Sequence, residues 1–263
     1  MARTGIFGRS GAGKSWYAGY LLERIAPRFD YAVHFDIDDE EQGLSQKGDS
    51  VFKTFYVDRE FADQRVAYDG REMSLVKAVI LENNHVRIVP DGLTPAEQRT
   101  LFAEICGLSM QLGASEATVH ISVDEAHQVL PDDSNPDERV IRMLTGGRKK
   151  GVEWMVITQR PSNLHDEAYS QMNFSAYFSL TKDIDIAKVN GSAGFNAYTY
   201  LPELEPREYI LEDLDSGELK QKSTNDLERI HPHAAPDDGE ADEVLEESVE
   251  GGSDLREQIE AER

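Results

Sequence analysis

Short apolar runs alternate with longer stretches of helical period along this chain. Thr4–Phe7, Tyr31–Ile37, Thr54–Val57, Val86–Val89, Thr118–Val123, Trp154–Thr158 and Ala176–Leu180 are runs rich in β-branched and aromatic residues and read as strands. Lys14–Ile25 places Trp16, Tyr20 and Leu21 or Leu22 on one helical face, and Pro27 ends it. Thr94-Pro95-Ala96-Glu97 is a helix start: a capping threonine, a proline in the first turn and a glutamate completing a capping box. Leu101, Ile105, Leu108 and Leu112 then recur at helical spacing. Pro136–Leu144 predicts a further helix, capped by Asn135 and closed by Gly146-Gly147. Tyr209–Leu214 and Glu218–Lys222 flank Asp215-Ser216-Gly217, a hairpin signal. Strands alternating with helices predict an α/β fold, a mostly parallel sheet with helices on both faces, ending in a C-terminal β-hairpin.

Composition adds a boundary. From His231 onward acidic residues crowd a segment with few large apolar groups, so residues 1–231 are expected to form one domain. Residues 232–263 are expected to be a disordered acidic tail, with one helical turn near Leu255–Ile259. His231-Pro232-His233 reads as a solvated linker rather than a metal site. The 263 residues carry 27 basic and 50 acidic side chains, a formal net charge of −23. Self-repulsion at that level is costly in dilute salt. It is screened at molar salt, where the Debye length falls to roughly 3 Å, which points to a halophilic origin. The lone Cys106 sits in a helical pattern as a small hydrophobe and fits a reducing cytoplasm. No apolar run is long enough to span a membrane, and the N-terminus lacks the apolar core of a signal peptide.

Gly8-Arg9-Ser10-Gly11-Ala12-Gly13-Lys14-Ser15 matches G-x-x-x-x-G-K-[ST] between a strand and a helix, with Trp16 next. Such a loop turns backbone N–H groups toward phosphate oxygens, and the following helix presents its positive end to the same anion. Lys14 is expected on the β- and γ-phosphates of ATP and the Ser15 hydroxyl on Mg²⁺. The chemistry also needs a carboxylate at the end of a neighbouring strand. Val119–Val123 ends in Asp124, a second Mg²⁺ ligand, and Glu125, placed to polarise the attacking water. Glu153–Thr158 ends in Gln159, whose amide would face the γ-phosphate. Asp124-Glu125-Ala126-His127 spells the quartet that names a group of RNA helicases. Those need two RecA-like domains, and this chain has room for one, so Ala126 and His127 are assigned to packing and local polarity.

GRSGAGKS, ISVDEAHQVL and GGRKKGVEWMVITQRPSNL, in that order, resemble the FtsK–HerA superfamily of P-loop ATPases, and YSQMNFSAYFSLTKDIDIAKV is similar to the HerA-type continuation. The resemblance covers about residues 1–200. It implies a RecA-like (ASCE) core, a hexameric ring with ATP between subunits, and double-stranded DNA as the substrate moved. It carries Lys14, Ser15, Asp124, Glu125 and Gln159 into the roles above and implies Arg148 as an arginine finger in trans. The second arginine common three positions earlier is Thr145 here, so Arg142 and Arg160 stay open as the finger. With its phosphate loop already at Gly8, the chain looks like the compact genome-packaging ATPases of membrane-containing, tailless viruses, and its acidity suggests a haloarchaeal one. That implies the host cytoplasm or the virion as its location, and viral capsid vertex or membrane proteins as partners. The alternatives are a cellular or conjugative HerA-like translocase and, from another class, a P-loop small-molecule phosphotransferase. An anionic chain needs local cations to hold DNA; Arg148-Lys149-Lys150 is the densest basic cluster, with Lys182 and Lys188 as secondary candidates.

Overall fold

The computed structural model describes residues 2–45, 50–58, 65–67 and 74–231. The acidic tail expected over 232–263 lies outside the described residues. Ten strands of the described residues form one sheet: β1 (Arg3–Phe7), β2 (Tyr31–Phe35), β3 (Lys53–Asp58), β4 (Arg65–Ala67), β5 (His85–Val89), β6 (Val119–Val123), β7 (Val152–Thr158), β8 (Phe174–Phe178), β9 (Glu208–Asp213) and β10 (Glu218–Ser223). Their spatial order is β10-β9-β8-β1-β7-β6-β2-β5-β3-β4. All pairings from β8 to β4 are parallel, and β9 is antiparallel to both of its neighbours. The described helices are α1 (Lys14–Ile25), α2 (Ser74–Asn83), α3 (Pro95–Ala114), α4 (Glu138–Gly146), α5 (Asp166–Gln171), α6 (Asp183–Asn190) and α7 (Ala197–Tyr200).

The central strands β1, β2, β5, β6, β7 and β8 are largely buried on both faces, as a parallel sheet covered on both sides requires, whereas β10 at the edge is polar and exposed. Successive residues point to opposite faces, and two clusters divide accordingly. Phe7, Val33, Phe35, Ile121, Val123, Trp154 and Val156 join α2, α3, α4 and α6 in the larger one. Ile6, Ala32, Met155, Ile157, Ala176 and Phe178 join Tyr17, Ala18 and Leu22 of α1 in the other. Cys106 is fully buried in the larger cluster, and burial pushes its thiol well above the usual range, which suits a packing role.

The capping box of α3 forms as the sequence predicts: Glu97 N donates to Thr94 Oγ1 at 3.4 Å, and Thr94 N donates to Glu97 Oε2 at 2.7 Å. The start of α4 differs. Its cap is Asp137, which accepts from Arg139 N at 2.9 Å, so the helix begins two residues later than an Asn135 cap implies. An ionised carboxylate at a helix N-terminus is the stronger acceptor for the orphan amides. The β8 run is shifted to Phe174–Phe178, and β2 stops at Phe35. The Asp36 carboxylate ends β2 by accepting from the amides of Glu40, at 3.2 Å, and Glu41, at 2.9 Å, which folds the chain into a turn. His231, read from sequence as solvated linker, is buried, and its amide donates to Glu23 Oε1 at 2.9 Å.

Candidate active site

The loop between β1 and α1 curls back on itself. Gly11 and Gly13 have φ of 73° and 108°, a region L side chains rarely adopt, and Gly13 is the N-cap residue of α1. No side chain caps that helix, so its first-turn amides are left for an anion. The loop is held from the β8 side. Arg9 N donates to Ser179 O at 2.8 Å, and a Cβ on Gly8 would stand 2.5 Å from Phe178 Cβ. Lys14 is buried, and its ammonium donates to Arg9 O at 3.1 Å. Burial lowers its pKa, against the pull of Glu125, Asp124 and Glu40.

Asp124 and Glu125 follow β6, as expected, but β6 is not the neighbour of β1. β7 lies between them. The strand end bearing Thr158 and Gln159 is therefore inserted between the phosphate loop and the two carboxylates. Asp124 is 3% exposed. Burial, then the nearby Asp36 and Glu125 carboxylates, push its pKa well up. Glu125 has φ 44°, a left-handed conformation that a non-glycine residue holds only against a cost. Its Oε2 lies 3.0 Å from His127 Nδ1, and the same nitrogen lies 2.9 Å from Thr158 Oγ1. Arg160 N donates to that hydroxyl at 3.0 Å. His127 thus hydrogen-bonds to the end of β7 with the glutamate beside it, a more specific place than the general polarity read from the sequence.

Sequence reasoning assigned no role to the acidic turn after β2. The structure brings it to the phosphate loop, where Ser15 Oγ donates to Glu40 Oε2 at 3.1 Å. Arg87 pins the turn from below the sheet edge: its Nε donates to Asp36 Oδ2 at 2.8 Å and its Nη2 pairs with Asp39. Burial would raise the Asp36 pKa, but the adjacent Arg87 guanidinium outweighs it and holds the carboxyl low. The available signal was an acidic run at the carboxyl end of a parallel strand, where ligands collect in such sheets.

One open cavity of about 510 Å³ collects most of the predicted groups, though Gly8, Arg9, Ala12 and Asp124 are not among its lining residues. Ser10, Gly11, Gly13, Lys14, Ser15, Trp16, Glu125 and Gln159 line it from the predicted set, and Asp39, Glu40 and Arg207 join them. Arg148 is not there. It is exposed in the turn Gly147–Lys150, which precedes β7 at the amino ends of the parallel strands, the opposite edge from the phosphate loop. Arg142 is also exposed and pairs with Glu138 at 2.5 Å, whereas Arg160 sits at the carboxyl end beside Gln159. Lys188 is engaged with Asp132 at 3.3 Å and Asp166 at 2.5 Å; Lys182, exposed, precedes α6 at the carboxyl edge. Lys149 and Lys150 are exposed at the amino edge, so the basic residues do not form one patch on a single chain.

A parallel sheet with a glycine-rich phosphate loop after β1 and an acidic pair after β6, one strand away, is a RecA-like P-loop NTPase fold. Solved structures bear this out. The genome packaging NTPase B204 from Sulfolobus turreted icosahedral virus 2, in complex with AMPPCP, superposes with a TM-score of 0.64 at 14% identity. That match covers 84% of this chain and 97% of B204. B204 described as the DNA-packaging ATPase of Sulfolobus Turreted Icosahedral Virus gives 0.59 at 15% identity over 84% and 97%. VirB4 of Thermoanaerobacter pseudethanolicus gives 0.58 at 11% identity over 89% and 90%. No family model and no curated protein matches the chain.

Proposed function

We propose that this chain is an ATPase that translocates double-stranded DNA as a homo-oligomeric, hexameric ring, in the packaging of a viral genome. The observation that carries the ATPase reading is the convergence of an uncapped helix N-terminus, Lys14, Ser15, Glu125 and Gln159 on one cavity. The likeness to B204 over nearly all of that protein supports the packaging role, and the likeness to VirB4 keeps a conjugative translocase as the second reading.

The loop amides and the Lys14 ammonium take the β- and γ-phosphate oxygens. Glu125 accepts a proton from the water whose oxygen attacks the γ-phosphorus, while the bond to the β–γ bridging oxygen breaks and ADP and phosphate result. His127 lies beside the glutamate, and the Gln159 amide orients the water. The donor set fits Mg²⁺. Asp124 is buried among Asp36, Glu125 and Glu40, carboxylates that raise its pKa and leave the group in need of a cation, and Ser15 supplies a hydroxyl. Ser15 and Asp124 would hold the ion, which supplies neutralisation of phosphate charge. Because Arg148 faces away from its own cavity, it acts on the nucleotide of a neighbouring subunit; Arg160 is the alternative. Lys149 and Lys150 hold DNA phosphates. The protein works in the host cytoplasm at a capsid vertex or membrane partner, and its charge suits high salt.

The test is ATP hydrolysis in molar salt, with and without double-stranded DNA, on a particle of measured mass. DNA should stimulate a multimer, Lys14→Ala should lose nucleotide binding, and Glu125→Gln should bind but not turn over. Unchanged hydrolysis in both variants refutes the assignment. A monomer that passes phosphate to a small acceptor, indifferent to DNA, establishes a phosphotransferase instead.

A further inference from the structure

The cavity has two sides, set by the strand order. β7 and β6 lie on one side of β1 and bring Gln159 and Glu125; β8 and β9 lie on the other. Arg207 immediately precedes β9, and since β9 runs antiparallel to β8, its start reaches the same edge of the sheet as the phosphate loop. No motif marks this arginine.

The structure spends strain and space to put Arg207 there. Its φ is 72°, a left-handed conformation in a residue with a side chain. Its amide donates to Ala12 O of the phosphate loop at 3.0 Å, and its carbonyl accepts from Thr224 N, after the hairpin, at 2.8 Å. A Cβ on Gly13 would stand 3.2 Å from Arg207 Cα, so the loop glycine also makes room for the arginine backbone. The side chain lines the cavity, with its guanidinium carbon 5.0 Å from the centre of the Trp16 ring and Nη1 donating to Asn225 Oδ1 at 3.2 Å.

Trp16 is itself braced. The Arg229 guanidinium carbon lies 5.5 Å from the same ring centre. That guanidinium is buried, with Nε 3.3 Å from Glu23 Oε1 and Nη2 3.1 Å from Glu41 Oε2. Gly19 admits it, since a Cβ there would stand 2.3 Å from Arg229 Cζ. An indole with two guanidiniums near its ring, and itself lining the cavity beside Arg207, puts two planar groups where an aromatic ring can stack.

We propose that Arg207 and Trp16 bind the base of the nucleotide from within the same chain, on the side of the cavity opposite Glu125 and Gln159. This rests on the nucleotide-binding reading above. It gives the C-terminal hairpin a function: it carries the residue that closes the base side of the site. Stacking needs the planar guanidinium, whereas a phosphate contact needs only the charge.

Binding of ADP and of inorganic tripolyphosphate, which lacks a base, separates the two. Titration calorimetry should show Arg207→Ala weakening ADP about tenfold and leaving tripolyphosphate within about twofold. Arg207→Lys, which keeps the charge, should behave like Arg207→Ala. Tryptophan emission should change on adding ADP to the wild type and not on adding tripolyphosphate, and the ADP response should vanish in Trp16→Phe, which keeps Trp154. ADP affinity unchanged in Arg207→Ala overturns the proposal, as does equal weakening of both ligands or wild-type affinity in Arg207→Lys. If wild-type protein binds neither ligand, the nucleotide-binding reading itself fails; if it binds both and Lys14→Ala weakens both, only the role of Arg207 is at stake.

Discussion

Gly113 and Gly107 lie on the same helix, α3, and helix propensity treats them alike: replacing either by alanine should stabilise by about 1 kcal/mol. Their surroundings differ. A Cβ on Gly113 would meet Lys150 O at 2.2 Å and Val152 Cγ2 at 3.0 Å. That oxygen belongs to backbone that cannot swing aside, because the adjacent Gly151 has φ 75° and its carbonyl accepts from Val119 N at 2.9 Å at the start of β6. A Cβ on Gly107 would have Arg139 side-chain atoms as its nearest neighbours, Cδ at 3.2 Å, on a side chain that is 36% exposed, so no backbone stands in its way there. Overpacking against backbone costs about 3 kcal/mol, the upper part of its usual range. Gly113→Ala should therefore lose about 2 kcal/mol net, or about 4–8 °C in Tm for a domain of this size. Gly107→Ala should be neutral or gain up to about 1 kcal/mol. The assay is urea unfolding of both variants in the same high-salt buffer, where the two midpoints should separate by about 2–3 kcal/mol at constant slope. Equal stability of the two variants would refute the claim that the approach of the β7 entry turn to α3 requires glycine.

Thr94→Ala removes the side chain that accepts from Glu97 N and should cost about 1 kcal/mol in the same assay; a loss below about 0.3 kcal/mol would mean that the box does not hold α3. His127→Ala removes the imidazole that lies 3.0 Å from Glu125 Oε2 and should lower kcat about tenfold with ADP affinity unchanged; an unchanged kcat removes the imidazole from the mechanism. His120 is buried with neither ring nitrogen hydrogen-bonded, and burial, then the neighbouring His34, lowers its pKa to about 3. With the unfolded value near 6.5, the native state binds fewer protons, so its contribution is complete above about pH 6.5 and is lost as the pH falls toward 3. His120→Leu should flatten the stability profile across that window by about 1.4 kcal/mol per pH unit, and parallel profiles for the two proteins would contradict this.

Several elements could be read from local pattern because local physics decides them. The bounds of α1 follow from its apolar face and Pro27, and the start of α3 from the capping box. The turn of the phosphate loop was readable because glycine suits its backbone at Gly11 and Gly13. Asp124, Glu125 and Gln159 were readable because ligands gather where parallel strands end, a rule that needs strand ends and no coordinates. The short strand β4 and helices α5 and α7 carried no sequence signal of comparable strength; each is too short for periodicity to speak.

Lateral order was a different matter. That β7 lies between β1 and β6 is a fact about pairing between segments far apart in the chain, and hydrophobic alternation is blind to which strand lies beside which. The same blindness hid Glu40, brought to Ser15 by the Asp36–Arg87 turn, and Arg207, which reaches the phosphate loop across the antiparallel return of β9. It also left Arg148 beside the motif residues in the sequence while the parallel strands carried it to the far edge of the sheet. The sequence by itself determined the residue types of the phosphate loop and of the strand-end carboxylates, and that they lie at strand ends, since these depend on a few adjacent positions. Only the tertiary structure decided which further side chains share that cavity, because strand order and chain reversal set distances that no local interaction encodes.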